Sequence, residues 1–198
     1  MDLNQYVSIL ESRFSSGLLR HSLGVADTAA DLAGIYRVNK GKAFLAGLLH
    51  DYAKELEPEL LLKLANQFKL PVDPITWVEG RKLLHAPVGA ALVTAELGIT
   101  DPEILSAISW HTTGKAEMSI LDKVVYLADV IEPNRDYDGV ERLRALSRLR
   151  LDQAALAAVN MNIYSVLKRD LMLHPGSVDL RNDLIARIRD QEKYTERC

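Results

Sequence analysis

Ala43-Phe44-Leu45-Ala46-Gly47-Leu48-Leu49-His50-Asp51 is an apolar run that finishes on two ionisable side chains. Its richness in Ala and Leu, between neighbours that repeat at three-to-four spacing, reads as a helix entering a core. Such a helix should not end on an imidazole and a carboxylate unless something there neutralises them. A second run poses the same problem. Val124-Val125-Tyr126-Leu127-Ala128-Asp129-Val130-Ile131 carries one carboxylate and no Lys or Arg. An ionised carboxylate buried alone is expensive, so Asp129 must protonate, meet a cation, or be paired with an arginine brought from elsewhere in the chain. His21, His85 and His111 end or interrupt similar patterns, and the simplest joint solution is a divalent metal held by imidazole nitrogens and carboxylate oxygens.

Outward from these two runs, helical periodicity continues from end to end. It predicts a helix over 3–14, then a longer one carrying His21, Val25, Thr28, Ala29, Leu32 and Ile35. Asn39-Lys40-Gly41 breaks the pattern before a helix over 43–52. Pro58 suits the first turn of a helix over 59–68. Residues 71–80, with prolines at 71 and 74, read as a loop with at most one helical turn, plugged into the core by Trp77. The next helix opens near His85-Ala86-Pro87 and stops at Gly98. Asp101-Pro102 is an N-cap followed by a first-turn proline, opening a helix that runs to His111. Another begins near Ser119 and passes Asp129 to Glu132, where Pro133 ends it. Beyond the polar loop 134–139 the chain reads as helical to Leu173, with a breaker at His174-Pro175-Gly176 and a last helix over 178–191. No run alternates with period two for long enough to make a strand, so the fold class is all-α.

Bulk composition narrows the function classes. The 198 residues are 48% hydrophobic and 26% charged, with only 11 Gly and 7 Pro, which suits one helical domain with a substantial core. A net charge of −3 supplies no global field for nucleic acid or an anionic membrane, so an anionic ligand must meet local cations. No apolar segment approaches the length of a membrane span. The single cysteine, Cys198, excludes an intrachain disulfide and a thiolate metal cage. The start lacks a basic and apolar leader pattern, and a cytoplasmic protein is expected.

Taken singly, each histidine has an ordinary explanation as a capping or part-buried polar residue, and their separations match no short zinc motif. His50-Asp51 is stronger, because neighbours about 100° apart on one helix end can both reach one ion. A His–carboxylate donor set without thiolates suits Fe²⁺, Mn²⁺, Co²⁺ or Zn²⁺ rather than Ca²⁺. Lys54, three residues after Asp51, and Arg135, six after Asp129, flank these ligands and offer the charge complement of a bound phosphate.

These segments also carry a family likeness. Arg20-His21-Ser22-Leu23-Gly24-Val25 and Leu48-Leu49-His50-Asp51-Tyr52-Ala53-Lys54 resemble the first motifs of HD-domain metal-dependent phosphohydrolases. Leu84-His85-Ala86-Pro87, Trp110-His111-Thr112-Thr113-Gly114 and Tyr126-Leu127-Ala128-Asp129-Val130-Ile131-Glu132-Pro133-Asn134-Arg135 resemble the YqeK-type branch, the symmetrical bis(5′-nucleosyl)-tetraphosphatases that act on diadenosine tetraphosphate. The likeness reaches His174-Pro175 and Arg181-Asn182. Ala86 departs from an expected glycine without removing a chemical group.

The resemblance implies an HD-domain helical bundle over 1–198, with a core metal site within 17–135 and helices of 140–192 packed on it. It implies a metal set of His21, His50, Asp51 and Asp129 holding an iron-like ion, with Mn, Co or Zn admitted and one ion or two. Asp51, Lys54, His85 and His111 are the implied catalytic residues. Lys54, His85, His111, Thr112, Arg135, His174 and Arg181 are the implied contacts to a dinucleoside polyphosphate or nucleotide. Thr112 and Thr113 either donate to phosphate or cap their helix end. Rival functions are a 5′-nucleotidase or other nucleotide phosphohydrolase, an HD-type di-iron oxygenase, and a non-catalytic nucleotide sensor. The Ala-rich stretch 153–159 packs either within the chain or in a homodimer.

Overall fold

A computed structural model describes residues 3–195; Met1, Asp2 and Cys198 lie outside them. The described residues form eleven helices and no strand: α1 (Leu3–Arg13), α2 (Ser16–Ile35), α3 (Lys40–Leu49), α4 (Pro58–Gln67), α5 (Pro74–Glu79), α6 (Arg81–Leu97), α7 (Pro102–Trp110), α8 (Ile120–Ile131), α9 (Val140–Ser147), α10 (Leu151–Lys168) and α11 (Pro175–Thr195).

Local chemistry sets most of the boundaries. Asn39 accepts from the Lys42 N–H at the start of α3, and Asp101 accepts from Glu103 and Ile104 at the start of α7. Ser119 and Asp122 form a reciprocal capping box on α8. Helix α6 begins at Arg81, earlier than expected, because Gly80 adopts φ 54° and turns the chain there. Pro87 therefore lies inside α6 rather than in its first turn, and the Leu83 carbonyl loses its helical donor. Residues 74–79 form a full short helix, capped by the Asp73 carboxylate. The segment expected to be helical up to Leu173 breaks twice, after Ser147 and after Lys168. Pro175 opens the last helix instead of interrupting it.

Helices α2, α3, α7 and α8 pack around the centre, with α6 against α4, α5 and α7, and α10 against α8, α9 and α11. Helix α8 is the most enclosed, with Leu121, Val124, Val125, Leu127, Ala128 and Ile131 all buried. Each large aliphatic side chain there contributes about 1.5–3 kcal/mol of burial. Gly47 permits close approach of α3 to α2, since a Cβ at that position would lie 3.0 Å from both Ala26 Cα and the Val25 carbonyl. That contact sets the distance between His21 on α2 and His50 at the end of α3. Ala154, Ala155, Ala158 and Val159 of α10 are fully buried, so the Ala-rich face is used inside the chain. No helix of the described residues is long and apolar enough to cross a membrane.

Candidate metal centre

Helix α3 ends one residue before His50, and the chain then tightens into successive short turns, Tyr52 N–H to Leu49 O, Lys54 N–H to Asp51 O and Leu56 N–H to Ala53 O. These turns replace the last helical residues expected up to Tyr52. They place His50, Asp51 and Lys54 at the same wall. His111 occupies the equivalent place at the end of α7, His21 comes from α2, His85 from α6 and Asp129 from α8. The four imidazoles form a contiguous row, with ring centroids 5.1 Å apart for His21–His50, 4.8 Å for His50–His111 and 5.1 Å for His85–His111.

Two carboxylates run along that row. Asp129 Oδ1 is 3.1 Å from His21 Nε2 and 3.9 Å from His50 Nε2. Asp51 Oδ2 is 3.3 Å from His50 Nε2, and its Oδ1 is 3.2 Å from His85 Nε2 and 3.4 Å from His111 Nε2.

Acceptors fix the tautomers of three rings. His50 Nδ1 lies 2.7 Å from the Gly47 carbonyl, and His111 Nδ1 lies 2.7 Å from the Ile108 carbonyl. A carbonyl only accepts, so each Nδ1 carries a proton and satisfies a carbonyl of the last helical turn. His21 Nδ1 is 3.1 Å from Glu132 Oε1. Burial pushes the Glu132 carboxyl up, but the Asn134 backbone N–H, His21 and the Asn134 side chain outweigh it and keep the group below its ordinary value. Glu132 is thus an ionised acceptor. All three rings turn Nε2 towards the carboxylates, and with Nδ1 occupied it is the atom each ring would offer a metal.

The electrostatics ask for a cation. Burial disfavours charge on Asp51, yet His50, His111 and His85 hold it well below the usual carboxylate range. Asp129 is also depressed: burial opposes ionisation, while His21, His50 and Arg135 overcome it. The same carboxylates raise His50 against the effect of its burial. His85 behaves oppositely. Burial, with Lys54 and His111 nearby, brings its imidazole down to about 4 despite Asp51, so it is neutral at pH 7.

Buried His50 Nε2 lies 3.3 Å from Asp51 Oδ2, and Asp51 Oδ1 lies 3.5 Å from Lys54 Nζ, yet neither atom has an aligned hydrogen bond. His21, His50 and Asp129 form one group whose donor atoms all lie within 4.8 Å of one another, and His50, Asp51 and His111 form another. Imidazole and carboxylate donors converging on shared space fit a first-row divalent ion. The arginine partner anticipated as the alternative for Asp129 is also present: Arg135 Nη2 lies 2.5 Å from Asp129 Oδ1, and its Nε donates to the Asp129 carbonyl at 2.7 Å.

Beside this cluster opens a cavity of about 1140 Å³, bordered by Lys54, His111, Thr112, Asp129 and Arg135. Lys54 Nζ is 3.5 Å from Asp51 Oδ1 and 3.2 Å from His85 Nε2. Thr112 Oγ1 lies 3.1 Å from His111 Nε2. The far wall holds half-buried Trp77 and His174. His174 is tied down on both sides of its ring, with Nε2 at 2.7 Å from Asp73 Oδ2 and Nδ1 accepting from the Gly176 N–H. The Thr113 hydroxyl donates to the Gly114 carbonyl. Arg181 does not line the cavity; its Nε donates to Asn160 at 2.8 Å.

The family model described as HD domain matches residues 18–134. The chain belongs to the HD-domain family. Among relatives of this HD chain, the symmetrical bis(5′-nucleosyl)-tetraphosphatase of Halalkalibacterium halodurans is 36% identical over 185 residues, covering 93% of this chain and 98% of the relative. The protein of the same description from Bacillus subtilis is 33% identical over 186 residues, covering 94% and 99%. A crystal structure from Clostridium acetobutylicum, described as a predicted HD superfamily hydrolase involved in NAD metabolism, superposes with a TM-score of 0.90 at 36% identity, covering 94% of this chain and 98% of that one.

Glu132 joins the site although its sequence context alone assigns it no role. It is 2% exposed, and its Oε2 accepts from the Asn134 backbone at 2.7 Å and side chain at 2.8 Å. The available signal was a carboxylate just past Asp129 at the buried end of an apolar helix. Its partner His21 is 111 residues away in sequence.

Proposed function

We propose that the protein is a metal-dependent hydrolase that cleaves diadenosine tetraphosphate symmetrically, giving two ADP. The observation that carries this is one juxtaposition: the His–carboxylate cluster opens, past Lys54 and Arg135, into a cavity of about 1140 Å³. That volume exceeds the ~300–1,000 Å³ of ordinary small-ligand pockets and suits a long polyphosphate ligand with nucleoside ends. Near-full-length identity to two tetraphosphatases supports the same reading. A di-iron oxygenase would not account for two cations, Lys54 and Arg135, placed to face phosphate beside the cluster.

His21, His50, Asp51 and Asp129 would hold the metal, which we assign as iron, with Mn, Co or Zn suited to the same donors. When bound, the metal supplies Lewis-acid polarisation of a phosphoryl oxygen and an activated water. Lys54 and Arg135 neutralise the phosphoryl oxygens around the scissile bond. The Arg135 Nε bond to the Asp129 carbonyl keeps the guanidinium in place whatever the carboxylate does. His85 Nε2, at 3.2 Å, accepts from Lys54 and aims the ammonium along the same wall as Asp51. The Thr112 hydroxyl, 3.1 Å from His111 Nε2, turns its single proton from that ring to a phosphate oxygen when substrate is bound. Asp51 accepts a proton of the attacking water. The oxygen of that water bonds to a central phosphorus, the bridging P–O bond breaks, and ADP leaves as an anion. A terminal phosphate ionises for the second time near pH 6, so the departing group needs no obligatory acid at pH 7. The chain acts as one HD-type unit, with the helices of 140–192 closing the cavity over the core.

Product identification tests the reading. Metal-loaded protein incubated with diadenosine tetraphosphate yields ADP alone. A mixture of AMP and ATP rejects symmetric cleavage, and binding without turnover favours the sensor.

A further inference from the structure

The end of helix α10 lines one side of the large cavity with Asn162, Ser165 and Val166, continued by Arg169 at its C-cap. Their spacing of three, four and seven residues puts them on one face, along about 10 Å of helix. The inner end of this stripe is anchored. Asn162 Nδ2 donates to Tyr126 Oη at 2.9 Å, and the Tyr126 ring, 1% exposed, sits in the core one helical turn before Asp129. At the outer end Arg169 Nε donates to the Ser165 carbonyl at 3.0 Å. Trp77, Leu62 and Leu83 supply an apolar wall to the same cavity.

The mechanism above uses none of these groups. The Tyr126 bond occupies one N–H of the Asn162 amide, and Oδ1 and the second N–H remain on a side chain that borders the cavity. That acceptor–donor pair complements the N6 amino group and N7 of adenine. Guanine offers two acceptors, O6 and N7, along the same edge, so Oδ1 would face another acceptor.

Resting on the dinucleoside polyphosphate reading, we propose that the α10 wall is a nucleobase subsite in which Asn162, clamped by Tyr126, reads the adenine of one substrate arm opposite Trp77. Phosphates lie at Lys54 and Arg135, and the nucleoside runs away from them along the stripe. Asn162 contributes to selectivity and affinity and leaves the chemical step alone.

The test compares wild type with Asn162→Ala and Asn162→Asp, the latter keeping an oxygen beside Tyr126 while losing the donor. Calorimetry with ADP, GDP and pyrophosphate measures binding, and kinetics compare diadenosine with diguanosine tetraphosphate. Wild type should favour adenine by roughly 5- to 150-fold, the discrimination of a good bidentate pair. Both variants should lose most of that preference through KM, with kcat and pyrophosphate binding little changed. Equal losses for both bases, or a preference that survives in a folded variant, overturns the subsite. Weakened pyrophosphate binding means that Asn162 only supports the fold, and it overturns the proposal too. Should wild type fail to hydrolyse diadenosine tetraphosphate, the functional reading falls, while the ADP-to-GDP ratio still judges Asn162.

Discussion

Replacing Glu132 by Ala should weaken metal binding without touching a metal-facing atom. The Glu132 carboxylate accepts from His21 Nδ1 at 3.1 Å, which leaves Nε2, beside Asp129, as the ring's ligand atom. Without it the ring is free to rotate and to adopt the other tautomer. Loss of such an orienting partner costs about 10- to 100-fold in metal affinity, or about 1.4–2.8 kcal/mol at 1.4 kcal/mol per tenfold. Two Asn134 donors lose their acceptor as well. Glu132→Gln should be intermediate, because its amide oxygen accepts from His21 while its NH₂ faces the Asn134 donors. Gly24→Ala reaches the same point sterically, since a Cβ there would lie 2.6 Å from Glu132 Oε2. Competition against a chelator of known affinity, with folding checked by circular dichroism, gives the three constants. Wild-type affinity in folded Glu132→Ala refutes the reasoning.

Lys54→Ala should retain the metal and raise KM, and lower kcat where the ammonium acts only on the transition state; loss of the metal instead would make Lys54 structural. The Asp73–His174 contact predicts a pH effect in acid. Burial raises the Asp73 carboxyl, but hydrogen bonds from the Thr76 hydroxyl and backbone, and from His174, bring it down to about 2. A depressed carboxyl stabilises the fold fully above its ordinary value near 4 and loses that contribution as pH falls through 2. Denaturant midpoints for wild type and Asp73→Asn should therefore differ most above pH 4 and converge towards pH 2, and a constant difference counts against the linkage.

Much of the site was legible because its residues violate local expectation. His50-Asp51 closes an apolar run, and Asp129 interrupts another; all three reach one cluster. Asp101-Pro102 and Ser119 announced their helices through capping chemistry that needs only a few neighbouring residues. What stayed hidden depends on conformation or distance. The start of α6 hinges on a positive φ at Gly80, whereas Pro87 pointed to a later boundary. Glu132 acquires its role from His21 through packing of α8 on α2. His174 carried the right chemistry for a ligand contact, but Asp73 and Gly176 engage both ring nitrogens.

Elemental analysis of reconstituted wild type and Asp129→Ala goes most directly to the shared-cation claim. Wild type should hold at least one transition ion per chain and the variant none, with tetraphosphate hydrolysis lost in parallel. Wild type that takes up no such ion from Fe, Mn, Co or Zn, or a variant that keeps its ion and full turnover, would contradict the account.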